Sequence, residues 1–170
     1  QKDPVIFGGT PEQKRRYVGG DVTEDGRYLV ISGAVSTSGN DLYVKDLRIP
    51  NAPLVTILDD TSSETYVINN VGTKLYIVTD RDAPNQRMVT VDVANPKPKK
   101  WKDFIAETEH VLSASTGGGY FFIEYMVDAV SKVYQYDYQG NQLREITLPG
   151  MGSASTISGK RKDTKLYYSF

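Results

Sequence analysis

No cysteine occurs in the 170 residues of the chain. That excludes disulfides, thiolate metal sites and cysteine nucleophiles, and it leaves the compartment, cytoplasm or bacterial periplasm, open. Long apolar runs are missing too. None approaches the roughly 20 residues needed to span a bilayer, and the opening QKDPVIF lacks the charged-then-apolar layout of a signal peptide. The chain opens on Gln1 without an initiator methionine, so that missing signal says little about the parent protein. Neither sign of charge is in excess. With 20 basic and 21 acidic residues the formal net charge is −1, which provides no field to gather phosphates or anionic lipid. Nucleic acid and membrane are therefore not expected as partners, and the short basic runs Lys97 to Lys100 and Lys160 to Lys162 read as solvated loops. Histidine occurs once, at His110, and no G-x-S-x-G nucleophile elbow is present. The nearest approach, GMGSAS from Gly150 to Ser155, reads as a turn between repeats, and His110 reads as a polar loop residue at the start of one.

What the sequence does contain is a period. DLYVKDL (41–47), RMVTVDV (87–93) and KVYQYDY (132–138) are apolar strands ending in aspartate, with Asp46, Asp92 and Asp137 spaced 46 and 45 residues apart. Ahead of each lies another apolar run, RYLVIS (27–32), KLYIVT (74–79) and GYFFIEY (119–125), with a fourth copy, KLYYSF, at 165–170. Matching Tyr28, Tyr76, Phe122 and Tyr167 gives spacings of 48, 46 and 45. Each repeat has two further runs, LVTILD, WKDFIA and LREITLP after the aspartate strand and ETYVINN, HVLSAST and SASTISG before the next hairpin. Four strands per repeat follow. Asp25-Gly26, Val71-Gly72 and Gly117-Gly118-Gly119 supply the positive φ that tight hairpins need. The runs are rich in Tyr, Val, Ile and Thr, and no long window shows the 3.6-residue period of a helix.

These features predict an all-β fold made of four-stranded antiparallel blades, the pattern of a β-propeller. Three full blades are expected at about 16–59, 64–106 and 109–148, with partial blades at 4–8 and 153–170. A ring of seven such blades needs roughly 315 residues and a ring of four about 180, so length alone leaves a closed four-bladed form open. In a propeller the three strand-end aspartates belong to successive blades, which keeps them apart. They are read as acceptors for backbone amides of the following turn rather than as metal ligands. The glycine run at 117–119 precedes a strand, not a helix, and so lacks the terminus that cradles phosphate. No metal and no cofactor are expected.

Several residues together carry a likeness. Asp25-Gly26-Arg27-Tyr28 followed by LVIS, Asn40-Asp41-Leu42-Tyr43 with Asp46-Leu47, the stretch Thr79 to Val93 with Arg81, Pro84, Asn85 and Arg87, Trp101-Lys102, and Lys160 to Thr164 before LYYSF resemble the N-terminal propeller of the prolyl oligopeptidase family of serine peptidases. The likeness covers nearly the whole chain. It implies a seven-bladed propeller lying over the active site of an α/β-hydrolase domain that supplies all the catalytic residues, with short proline-containing peptides as substrates. That domain is not in these 170 residues, so the chain itself is expected not to hydrolyse peptides. The links between second and third strands would share one face with the inter-blade links, and the likeness makes it the peptidase side. On that face Asn40, Asp41, Arg81, Asn85 and Arg87 are the candidate contacts to the peptidase domain or to a peptide. Pro84 and Asn85 stiffen the loop between the two arginines. Where some family members have a substrate-holding arginine near the start of the Asn40 strand, this chain has Asp41. A freestanding propeller that binds or scaffolds is the alternative reading, and the isolated chain is expected to self-associate.

Overall fold

The computed structural model describes residues 5–8 and 16–170. Twelve strands are seen among them, grouped into three four-stranded antiparallel meanders. The first contains β1 (Tyr17–Val22), β2 (Tyr28–Ala34), β3 (Asp41–Asp46) and β4 (Leu54–Leu58). The second contains β5 (Thr65–Val71), β6 (Lys74–Thr79), β7 (Arg87–Asp92) and β8 (Lys102–Ile105). The third contains β9 (Leu112–Gly117), β10 (Tyr120–Val127), β11 (Val130–Tyr136) and β12 (Gln142–Ile146). In each sheet the order in space is the order in sequence, as in a propeller blade. A 3₁₀ turn, Pro98–Lys100, leads into β8.

Alternation along the strands determines how the blades stack. A strand sends successive side chains to opposite faces, and in a propeller each face of an inner blade meets another blade. In β6, Leu75 and Ile77 join Tyr28, Leu42, Val44 and Ile57 in one buried cluster between blades 1 and 2. The interleaved Tyr76 and Val78 turn the other way, to Leu112, Phe121, Ile123 and Tyr125 of blade 3. Phe122 and Val133 continue the series by packing on Ile157 and Leu166 beyond blade 3. Burying a side chain of this size contributes about 1.5–3 kcal/mol, so each interface is held by several such increments.

Ladder register corrects one detail of the repeat. Tyr28 lies opposite Asp46 and Lys74 opposite Asp92, so the counterpart of Tyr28 is Lys74 and not Tyr76. The sequence match was displaced by two residues in blade 1. Two residues are one full strand period, which is why the displacement left the facing of every side chain unchanged.

Segment 153–170 differs from the two inner strands expected there. It makes one bridge, Ser158 with Tyr167, and a hydrogen bond from Ser155 N–H to Ser169 O of 2.8 Å, without a continuous ladder. Of the strand expected at 4–8, residue 4 lies outside the described residues, and 5–8 form no strand. Phe7 instead stacks on Tyr43 at 4.9 Å, on the side of blade 1 away from blade 2.

Hairpin geometry agrees with the glycine reading. Gly26, Gly72, Gly118 and Gly119 have φ of 70°, 60°, 58° and 82°. The second basic run does not behave as a simple solvated loop, because Arg161 is turned inward while Lys160 and Lys162 are exposed.

Candidate functional site

The loops joining second to third strands lie beside the inter-blade links, and three of the candidate residues, Asn40, Arg81 and Asn85, join them. Asn40, just before β3, splices its loop to the start of blade 2. Its backbone N–H donates to Ser63 O at 3.0 Å, its Nδ2 donates to Thr65 O at 2.8 Å, and its Oδ1 accepts from Thr65 N–H at 2.9 Å. The approach is close enough to demand glycine alongside: Gly39 has φ of 75°, and a Cβ there would collide with the Thr61 carbonyl. Asp41 is buried and forms an ion pair with Arg16, so its carboxylate faces inward.

In blade 2 the loop between β6 and β7 is anchored on two sides. Toward blade 1, Asp80 N–H donates to Glu64 O at 3.2 Å and Asp80 Oδ1 accepts from Glu64 N–H at 2.7 Å. Arg81 Nη1 reaches Asp60 Oδ2 at 2.8 Å on the same link. Toward blade 3, Asn85 N–H donates to Glu107 Oε1 at 2.6 Å, Asn85 Nδ2 donates to Thr108 O at 3.0 Å, and Leu112 N–H donates to Asn85 O at 2.8 Å. Inside the loop, Ala83 N–H donates to Asp80 O and Gln86 N–H to Ala83 O. Asp82 and Gln86 take φ of 54° and 65°. Arg87, at the start of β7, pairs with Asp103 of its own blade at 3.0 Å. The Arg81 and Arg87 side chains remain 30% and 25% exposed.

Asp60 is the electrostatic centre of this arrangement. The Ser62 hydroxyl and amide both donate to it, and with Arg81 they hold its carboxyl below the ordinary value of 3.8 against the upward pull of burial. Neither Asp60 nor Glu107 is among the residues singled out from sequence. For Asp60 the available signal was a carboxylate two residues ahead of Ser62, the spacing of an Asx turn.

The five candidates thus form two groups that share one link. Asn40 and Asp41 lie on the blade 1 side of residues 59–64, and Arg81, Asn85 and Arg87 lie on the blade 2 side. Blade 3 repeats the motif with another residue: Ser131 N–H donates to Gly152 O at 2.9 Å and Ala154 N–H donates to Ser131 Oγ at 2.9 Å. His110 lies in the link before β9, 3.8 Å from Glu109, with a half-buried imidazole. Among the described residues no group of three His, Cys, Asp or Glu side chains stands together to hold a metal.

Fold and face together define a class: a segment of β-propeller whose second-to-third-strand loops and inter-blade links are laced into one continuous surface. The whole chain, residues 1–170, matches the family described as prolyl oligopeptidase, N-terminal beta-propeller domain, and it belongs to that family. It is 47% identical over 169 residues to a prolyl endopeptidase of Elizabethkingia meningoseptica, covering 99% of this chain and 24% of the relative. Prolyl oligopeptidase A of Galerina marginata is 32% identical over 154 residues, 86% of this chain and 20% of the relative. Among solved structures, one from a study of two prolyl endopeptidases superposes with a TM-score of 0.86 at 31% identity, covering 96% of this chain and 24% of that one. The chain therefore spans about a quarter of the length of the curated relatives it matches.

Proposed function

We propose that this propeller covers the active site of an α/β-hydrolase peptidase domain in the same polypeptide and restricts access to short proline-containing peptides. In this reading the face carrying Asn40, Asp41, Arg81, Asn85 and Arg87 is turned toward that domain or toward an incoming peptide. Family membership supports it, as do the relatives named prolyl endopeptidase and prolyl oligopeptidase. For the two prolyl endopeptidases of the solved structure, inter-domain dynamics has a role in catalysis and specificity.

One observation carries the reading to particular residues: the 79–87 loop is fastened on both sides while its two guanidinium groups stay partly open to water. A loop held this way can present charge to a neighbour without paying to order itself on contact. Exposed ion pairs contribute about 0–1 kcal/mol, so stability alone gives little reason for two arginines here. Asp41 takes no direct part in this reading because its charge is spent on Arg16.

Arg81→Ala combined with Arg87→Ala in the full-length peptidase containing this chain tests it. The expected result is an altered KM or altered peptide-length preference, with the melting temperature nearly unchanged. Peptide kinetics identical to the parent at low and high ionic strength would remove the reading.

A further inference from the structure

In a repeat architecture each unit touches its immediate neighbours. Arg161 departs from that rule. Its hairpin is seated on blade 3, where Gly118 N–H donates to Lys160 O at 2.9 Å and Gly159 N–H donates to Thr116 O at 3.3 Å. From that seat Arg161 reaches back over blade 3. Its Nη2 donates to Asn70 O of blade 2 at 3.0 Å, and its backbone N–H donates to Glu24 Oε1 of blade 1 at 2.6 Å. Its guanidinium carbon lies 4.5 Å from the centre of the Tyr138 ring. Tyr138 is itself fixed, since its hydroxyl accepts from Asn69 Nδ2 at 3.0 Å and its carbonyl from the Tyr76 hydroxyl at 3.1 Å. Asn70 Nδ2 also donates to Asp25 Oδ2 at 3.1 Å, tying blade 2 to the blade 1 hairpin.

Glu24, Asp25, Asn70 and Gly118 lie at or beside the first hairpins of blades 1, 2 and 3, and Tyr138 lies in the turn between β11 and β12. Between Glu24 and Asp25 on one side and residues 160–163 on the other is an opening of about 480 Å³. We propose that Arg161 is a pin that draws the first hairpins of blades 1, 2 and 3 together around this opening and narrows its mouth, holding blade 1 through its backbone N–H and blades 2 and 3 through its guanidinium. Two properties suit it to the task. A guanidinium offers several donors in a fixed plane and can stack on a ring while donating at its edge. Its bonds are also charge-assisted, hence stronger than neutral ones, yet lie close enough to solvent for salt to weaken them. Removing the pin leaves each blade interface intact and widens the mouth.

Spin labels at Asp21→Cys and Lys165→Cys, in a full-length protein otherwise free of cysteine, report the distance across the mouth. With Arg161 present a narrow distance distribution is expected, and Lys162→Ala should preserve it. Glu24→Ala should lose the narrow component toward longer distances, because it removes the acceptor of the Arg161 backbone N–H. Arg161→Ala, which keeps that donor but frees it from Asn70 and Tyr138, should broaden the distribution, Arg161→Lys should broaden it less, and raising NaCl should reproduce the loss in the unsubstituted protein. Distributions that are the same for Arg161→Ala and Lys162→Ala overturn the pin. Should Arg161→Ala fail to fold, Glu24→Ala and the salt series decide, and an unchanged distribution in both overturns it equally.

Discussion

Asp46, Asp92 and Asp137 show how much one residue type can contribute when it recurs. Each accepts the amide two residues on, from Arg48 at 2.9 Å, Ala94 at 3.0 Å and Gln139 at 2.9 Å, so the repeat marks turns and not a carboxylate cluster. Asp25 and Asp60 use the same geometry toward Arg27 and Ser62. Both carboxyls lie below their ordinary value of 3.8. At Asp25 burial pushes upward and the Arg27 amide, Asn70, Thr23 and Arg48 together outweigh it, whereas at Asp60 the Ser62 hydroxyl leads. A carboxyl depressed in the folded state contributes stability that is fully present above its unfolded pKa and is lost as pH falls through the folded one. Stability is therefore expected to decline on acidification below about pH 4, and Asp25→Asn or Asp60→Asn should each flatten that decline in thermal melts run from pH 5 to pH 2. A slope as steep in both variants as in the parent would show that these carboxylates do not contribute. At this scale the candidate site was half legible. Asn40, Asn85 and the arginines announce themselves as turn and charge residues, but Asp60, Glu107 and Thr108 are their partners only because of the angle at which one blade follows the next. Periodicity carries no information on that angle.

Strands and hairpins were more open to reading, because alternation and turn chemistry are local. Apolar runs predict eleven of the twelve strands and the four-strand repeat supplies β1, and the two-residue displacement in blade 1 left facing unchanged, since Tyr28 and Val30 point the same way. Segment 153–170 was less legible. Its Tyr-rich run has strand propensity, yet a ladder needs a partner of matching length, and among the described residues 155–158 and 167–169 share only a bridge and a few bonds. The link from β10 to β11 was also not foreseen in its detail: two residues, Asp128 and Ala129, with φ of 50° and 61°. Such a turn favours glycine, and alanine in the left-handed region costs roughly 1–2 kcal/mol, partly offset by the entropy glycine would lose. Ala129→Gly is expected to stabilise by up to about 1 kcal/mol, read as a higher urea midpoint at constant m-value. A lowered midpoint would mean that the turn is not strained in this way.

At the scale of the molecule the blades are satisfied between themselves and exposed at the two ends of the series. Met151 and Tyr167 are 91% and 74% exposed, Phe170 is also open to solvent, and all of β1 is exposed. Apolar surface and an uncovered strand of this kind invite pairing. The isolated 170-residue chain is expected to form dimers or larger assemblies, measurable by light scattering at high micromolar concentration. A strict monomer with cooperative unfolding would favour closure into a four-bladed ring. Contacts between neighbouring blades join residues close in sequence: 25 apart for Asn40 with Thr65, 21 for Arg81 with Asp60, 22 for Asn85 with Glu107. Glu24 and Arg161 are 137 apart. Chain entropy makes short closures cheaper than long ones, and the seat of Arg161 on blade 3 and its acceptor on blade 2 must exist before it can bridge to blade 1. Order of assembly is thereby written into the contacts: neighbouring blades are expected to close first, each on its own short loop, and the width of the opening beside Glu24 is decided after them, by a bond that spans most of the chain.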